Sequence, residues 1–255
     1  VSGQREGRAT YLGASDVTST NDLVPPRRVL AVGAHPDDIE FGMGATLAKW
    51  HRLGTELVLV VLTDGRRGTW DRDMDLLELA VTRRHEGAEA AQCLGAAPPI
   101  ALAVPDGELA VNDATVARLV VLLRRVQPTL VATHDPWTRD RLHPDHQAAG
   151  SLVTRAIVAA RDHGYWPELG YEPTRPETLL LFETDRVNHL EHVERDDLRT
   201  KAQALACHRS QYPSSFGLAL DSPDAEAAIE GMLESAHVSR FGHALIEGFH
   251  RIDDL

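Results

Sequence analysis

The sequence predicts an α/β protein: a single-domain, Rossmann-like three-layer α/β/α architecture around a mainly parallel sheet. Three observations carry this expectation. Short, continuously apolar runs recur along the chain, as strands buried on both faces require. Stretches with apolar residues at helical spacing separate them, long enough to serve as crossover connections. Glycine or proline closes most of those stretches.

Val1 to Arg27 is rich in Gly, Ser, Thr, Asn and Asp, shows no period and runs into Pro25-Pro26. It reads as an irregular arm (1–27) ahead of a domain over 28–255. Arg28 to Ala34 (RVLAVGA) is the first buried strand. Gly42 to Leu53 places Leu47, Trp50 and Leu53 on one helical face and stops at Gly54. Gly42-Met43-Gly44 lacks the third glycine of a phosphate-binding loop and reads as a tight helix start. Glu56 to Thr63 (ELVLVVLT) is the second strand, and Asp75 to Leu94 is a long helix closed by Gly95. Ile100 to Val104 is the third strand. Asp113 caps a helix to Val126 with Val116, Leu119, Val120 and Leu123 on one face, and Pro128 ends it. Thr129 to Thr133 is the fourth strand, Pro144 to Asp162 a helix closed by Gly164, and Glu177 to Phe182 the fifth strand. From His189 onward the pattern predicts helices, then a last strand near Ala244 to Arg251.

Composition narrows the function. Hydrophobic residues make up 43% and charged residues 25%, the usage of an ordinary globular domain. The 38 acidic residues outnumber the 26 basic ones, a net charge of −12. That argues against a nucleic-acid partner, which needs a basic face for phosphates, and against docking on an anionic membrane. The apolar runs, about eight residues at most, are too short for a transmembrane segment, and no secretory pattern stands out, so the expected compartment is cytoplasmic. Cys93 and Cys207 form neither a disulfide framework nor a CxxC motif, and read as buried, inert thiols on apolar helix faces.

Two clusters carry chemistry. His35-Pro36-Asp37-Asp38-Ile39-Glu40 directly follows the first strand, and His143-Pro144-Asp145-His146 follows the fourth and runs into a helix. A single His-Pro-Asp is ordinary loop chemistry. Two copies, each after a buried strand of one parallel sheet, point to a shared metal site, because both open on the same edge and the two strands are neighbours in the common doubly wound order. His35 and Asp38, three apart in a tight loop, with His146 from the facing helix start, make a set of two histidines and one carboxylate. That set suits Zn2+ with a fourth position for water, whose pKa it lowers to roughly 7. The same set also describes iron(II) oxygenases, so Fe2+ is the alternative ion. Asp37 is placed to act as general base. His143, one turn from His146, can hold an oxyanion or protonate a leaving amine. Asp145 can fix a histidine tautomer. His134, Asp135 and Trp137 are candidate pocket linings, and Glu40 is either a partner behind the ligands or a helix N-terminal charge.

Ala34-His35-Pro36-Asp37-Asp38 with Glu40, together with His143-Pro144-Asp145-His146, resembles the PIG-L/LmbE-like family of zinc-dependent N-acetylglucosaminyl deacetylases. Further segments resemble that family in order: Leu62-Thr63-Asp64-Gly65, Arg83 and Glu86 with Leu94-Gly95, Pro105-Asp106-Gly107, and Lys201…Ala204-Leu205…His208-Arg209-Ser210-Gln211. The resemblance runs from about Arg28 to Gln211. It implies His35, Asp38 and His146 as zinc ligands, Asp37 as general base, His143 as the electrostatic or acid partner, and Arg83 and Asp106 as contacts to sugar hydroxyls. It implies a hydrolase of linear amides that removes acetyl from an N-acetylglucosamine-type sugar conjugate, with a small-molecule amino sugar as its partner. Three features depart from the family pattern: Arg66, where many members are acidic; the stretch Gly68 to Asp73; and Arg141, where some members place a tyrosine. They bear on the substrate and leave the hydrolytic residues intact. The competing readings are an amidase of a larger glucosaminyl conjugate such as a thiol S-conjugate, a non-haem iron(II) oxygenase, and a non-enzymatic carbohydrate-binding protein. The helix-rich C-terminal third suggests a subunit interface of a homo-oligomer, or a lid.

Overall fold

The computed structural model describes residues 22–241 and 244–255. Its strands are β1 (Arg28–Gly33), β2 (Glu56–Thr63), β3 (Ile100–Val104), β4 (Leu130–His134), β5 (Thr178–Phe182), β6 (His189–His192) and β7 (Ile246–Asp253). Its α-helices are α1 (Asp38–Arg52), α2 (Leu76–Cys93), α3 (Asp113–Val126), α4 (Pro144–Ala160), α5 (Arg195–Ala206) and α6 (Ala225–Phe241). The strands form one sheet in the order β3-β2-β1-β4-β5-β7-β6. The first five pair in parallel; β7 is antiparallel to both β5 and β6.

Side chains alternate across each strand, and this sorts the core into two layers. Leu30, Val32, Val60, Leu62, Val131, Leu179 and Leu181 pack on one face against α3 and α4. Val29, Ala31, Leu57, Leu59, Ala132, Leu180 and Phe182 pack on the other against α1, α2 and α5. The expected three-layer arrangement follows from this alternation. A smaller cluster of Ala202, Leu205, Tyr212, Ala225 and Ile229 ties α5 to α6. Among the described residues no helix is long and apolar enough to cross a membrane.

Several expectations are corrected. α1 starts at Asp38, four residues before the expected helix start, and Gly42-Met43-Gly44 sits inside it at a kink where Met43 leaves helical geometry (φ −153°). The glycines there admit close neighbours: a Cβ on Gly42 would lie 2.5 Å from the Phe182 ring, and one on Gly44 2.9 Å from the Lys201 side chain. His189–His192 is a strand, not part of a helix, because its polar side chains find partners: His189 Nε2 lies 2.8 Å from Glu191 Oε1, and Lys49 Nζ donates to Glu191 at 2.8 Å. Of the expected arm, residues 1–21 lie outside the described residues. Residues 22–27 are irregular, with Leu23 N donating to Glu191 and Asp22 accepting from Lys49. The cysteines are not the buried thiols expected: Cys93 is exposed, Cys207 part-buried, and their sulfurs are 3.7 Å apart.

The seat of α4 on the end of β4 generates a stability test. A Cβ on Gly150 would lie 2.4 Å from the His134 carbonyl oxygen and 2.8 Å from Pro136 Cδ, whereas one on Gly231 in α6 meets nothing within 4 Å. Gly150→Ala should destabilise by about 1–3 kcal/mol, overpacking outweighing alanine's helix preference. Gly231→Ala should stabilise by up to about 1 kcal/mol. Urea unfolding of both variants checks the opposite signs.

Candidate active site

The site lies at the carboxyl ends of the parallel strands. The chain leaves β1 through Ala34, whose carbonyl accepts from both Thr63 N and Thr63 Oγ1 at 2.8 Å, which fastens this loop to the end of β2. The loop then closes on itself, with His35 N donating to Asp38 Oδ2 at 2.6 Å. Asp37 is the N-cap residue of α1 and sits at φ 111°, a left-handed conformation that an L-residue holds only where its surroundings enforce it. Across the edge, His143 caps α4: its Nδ1 accepts from Asp145 N at 3.3 Å, and Pro144 occupies the first helical position, where no N–H is needed. The Nδ1 of His143 is thereby an acceptor, and a neutral ring carries its proton on Nε2. The turn after β3 joins the two loops. Asp145 accepts from Gly107 N at 2.7 Å and Leu109 N at 3.2 Å, and Asp106 N donates to Asp64 at 3.2 Å.

His35, Asp38 and His146 converge. His35 Nδ1 lies 3.3 Å from Asp38 Oδ2 and 3.2 Å from His146 Nε2, and His146 Nε2 is 3.4 Å from Asp38 Oδ1. The other nitrogen of His35 faces two more carboxylates, Asp106 at 3.2 Å and Asp145 at 3.3 Å. Those acceptors hold a proton on Nε2, so the proton the ring would give up to a bound cation is the one on Nδ1, which faces Asp38 and His146. Among the described residues three overlapping sets each bring three donor atoms within 4.8 Å of one another: His35/His143/His146, Asp38/His134/His146 and His35/Asp106/Asp145.

Charge balance in this pit is tight. Burial works against charge on His35, but its hydrogen bonds to Asp106, Asp145 and Asp38 outweigh this and push it up to about 12. Burial raises Asp38, yet His134, His146 and His35 together hold its carboxyl well below the usual range. Asp37 is pushed up to about 6 by burial, against the opposing pull of Arg83 and His208. His143 is lowered by burial and by the neighbouring His35 and His146, and its side chain is 44% exposed at the mouth.

The remaining candidate residues sit deeper than a sequence suggests. Arg83, 3% exposed, donates to the carbonyls of Gly65 (2.9 Å) and Pro36 (2.6 Å) and to Asp37 Oδ2 (3.1 Å). It clamps the strained loop. Asp106 is also buried, with Oδ2 accepting from Arg67 N. Glu40 is buried against His208, Oε1 to Nε2 3.8 Å, behind Asp37. Asp135 accepts from Trp137 N and Thr184 Oγ1 and shapes the loop after β4, whereas Trp137 is 52% exposed with Arg186 stacked 5.8 Å above its ring.

One group was missed. Glu183, directly after β5 and at φ 56°, lies 3.1 Å from His134 Nδ1 and accepts from Arg141 Nη2 at 2.5 Å. His134 presents Nε2 to Asp38 at 3.1 Å and stacks on His146, while Arg141 Nε donates to His146 Nδ1 at 2.9 Å. Glu183 therefore reaches two members of the converging triad through one intermediary each, Asp38 through His134 and His146 through Arg141. Its signal in the sequence was its place, immediately after a buried parallel strand, where ligand-facing residues concentrate.

Comparison with known proteins finds relatives in both sequence and fold. The family model of PIG-L, GlcNAc-PI de-N-acetylase, matches residues 30–157. Diacetylchitobiose deacetylase of Thermococcus kodakarensis is 31% identical over 190 residues, 73% of this chain and 71% of that protein. The 1D-myo-inositol 2-acetamido-2-deoxy-alpha-D-glucopyranoside deacetylase of Geodermatophilus obscurus is 30% identical over 247 residues, 87% of this chain and 80% of that one. The solved N,N'-diacetylchitobiose deacetylase of Pyrococcus horikoshii, complexed with its inhibitor MPG, aligns with a TM-score of 0.78 at 29% identity over 89% of this chain and 84% of that one. With half of its length matched by the family model and that archaeal relative covered at 31% identity, this chain belongs to the PIG-L family of GlcNAc-PI de-N-acetylases.

Proposed function

We propose that this protein is a metal-dependent N-deacetylase that hydrolyses the acetamido group of an N-acetylglucosamine-type conjugate, releasing acetate and the free amino sugar. The observation that carries the reading is the convergence of His35 Nδ1, His146 Nε2 and Asp38 within 3.4 Å of one another, beside the buried carboxylate of Asp37. Two imidazole nitrogens and one carboxylate oxygen, backed by further carboxylates, are a donor set that fits zinc. A divalent ion held there supplies Lewis acidity to a water and to the amide carbonyl.

The chain's own residues do the rest. Asp37, held by Arg83 and by its place next to Asp38, accepts the proton that water loses. His143 carries its proton on Nε2, toward the pit, where it stabilises the developing oxyanion or returns a proton to the departing amine. Asp145 and Asp106 hold the proton on His35 Nε2, so that Nδ1 would be the nitrogen offered to an ion. His146 Nδ1 accepts from Arg141 Nε in this structure; an ion on Nε2 would need a proton on Nδ1, and Glu183, 3.9 Å away and paired with Arg141, is the carboxylate that would face it. In this reading Arg83 and Asp106 serve the sugar through the loop they hold as much as by direct contact.

The donor triad alone also suits iron(II). The neighbouring Asp37 and the membership of a deacetylase family favour hydrolysis with zinc. Substrates of the relatives suggest the panel: a diacetylchitobiose and an N-acetylglucosaminyl-inositol, extended by a glucosaminyl thiol S-conjugate with a larger acyl group.

Protein purified with zinc should release acetate from at least one panel member. A chelator should remove both metal and activity, and added zinc should restore them. Acetate release untouched by complete metal removal overturns the reading. Asp37→Asn should lower kcat by about 10²–10⁴-fold while the bound zinc, read by elemental analysis, stays stoichiometric. Glu183→Gln should weaken zinc about 10–100-fold in competition with a chromogenic chelator, with folding unchanged by circular dichroism.

A further inference from the structure

We propose that Cys93 and Cys207 form a dithiol that a low-molecular-weight disulfide oxidises to an intrachain disulfide without disturbing the fold. The two residues are 114 positions apart, yet their sulfurs lie 3.7 Å from each other. Cys93 ends α2 and is exposed; Cys207 follows α5 and is part-buried, its thiol donating to Gln203 O at 3.4 Å. The approach is held by more than the sulfurs. One turn back on α2, Glu89 accepts from Arg209 at 2.7 Å, and a further turn back Glu86 accepts from Ser210 N at 2.8 Å and Ser210 Oγ at 2.6 Å. Three successive positions on one face of α2 thus grip the segment 207–210. A disulfide needs sulfurs about 2.05 Å apart, so the bond closes with side-chain rotation and a shift of less than about 2 Å.

The two thiols have different roles. Burial, then the neighbouring Cys93, pushes the Cys207 thiol up to about 12, so it waits in the protonated form. Cys93 is the sulfur that solvent reaches. Its thiolate attacks one sulfur of the disulfide RSSR, forming Cys93–S–S–R and releasing the thiolate RS⁻. Once Cys93 is in the mixed disulfide, its charge no longer opposes ionisation of Cys207. Cys207 gives its proton to solvent and attacks the Cys93 sulfur, and the second RS⁻ leaves. The balance is one dithiol plus RSSR to one protein disulfide plus two RSH. The bond ties α2, which carries Arg83 and Glu86, to the segment carrying His208 and Ser210.

The test uses the whole native protein with glutathione disulfide as the oxidant. Thiol titration should fall from two per chain to none, intact mass should fall by about 2 Da, and one proteolytic peptide pair should contain both cysteines. The Tm should rise by roughly 5–10 °C and return on reduction, as closing a loop of this length predicts. Cys207→Ser should stall as a glutathione adduct on Cys93, and Cys93→Ser should keep its single thiol over the same time. Persistence of both thiols in the native protein overturns the proposal. So does a stable adduct on Cys93 of the wild type, a covalent dimer, or an oxidised protein whose Tm is no higher than that of the reduced one.

Discussion

The parallel pairing of β1 with β4 is the constraint on which the rest of the molecule depends. Val29 to Val32 align with Leu130 to Thr133, so both strands end at the same edge and deliver their following loops to the same place. His35 comes from one loop and His146 from the helix after the other, 111 residues apart in sequence and 3.2 Å apart in space. The neighbouring strands add to the same edge: Asp64 after β2, Asp106 after β3, Glu183 after β5. The site is in this sense a consequence of topology: five parallel strands must all end on one side.

That convergence creates an electrostatic problem, and the site is its solution. Asp37, Asp38, Asp106 and Asp145 are all less than 9% exposed. Buried carboxylates persist only when paired and hydrogen-bonded. Here each has a cationic or N–H partner: Arg83 for Asp37, His134 for Asp38, His35 with backbone amides for Asp106 and Asp145. Histidine suits this role because each ring offers two nitrogens, and His35 uses one toward the carboxylates behind it and the other toward the triad. The same excess of negative charge favours a cation in the pit. The left-handed Asp37 fits the same picture, since its strained backbone is held from below by Arg83 on two sides, through the Pro36 carbonyl and its own carboxylate.

Much of this was legible along the chain. Runs such as ELVLVVLT, helical periodicity such as that from Asp113 to Val126, and the glycine stops placed six strands and four helices close to where they lie, because burial on both faces and helical periodicity leave local marks; the cap of that helix is Asn112 and not the expected Asp113. The failures share one cause. α1 begins within the His-Pro-Asp-Asp loop because Asp37 adopts a conformation that only its neighbours enforce. β6 is a strand of His, Leu and Glu because Lys49 from α1 and β7 beside it satisfy those polar groups. Neither cause is written in the residues concerned.

The sequence by itself determined the chemistry on offer: two His-Pro-Asp clusters, each after a buried strand, with the carboxylate of Asp37 beside a candidate ligand. It determined the layer architecture for the same reason, since period and residue type are local properties. Only the tertiary structure decided which nitrogen of His35 faces which partner, and that Arg83 and Asp106 lie buried under the loop. It alone made Glu183 part of the site through His134 and Arg141, and brought Cys93 against Cys207. Those are contacts between side chains far apart in the chain, set by how helices seat on a twisted sheet, and no spacing rule along a single strand of text contains them.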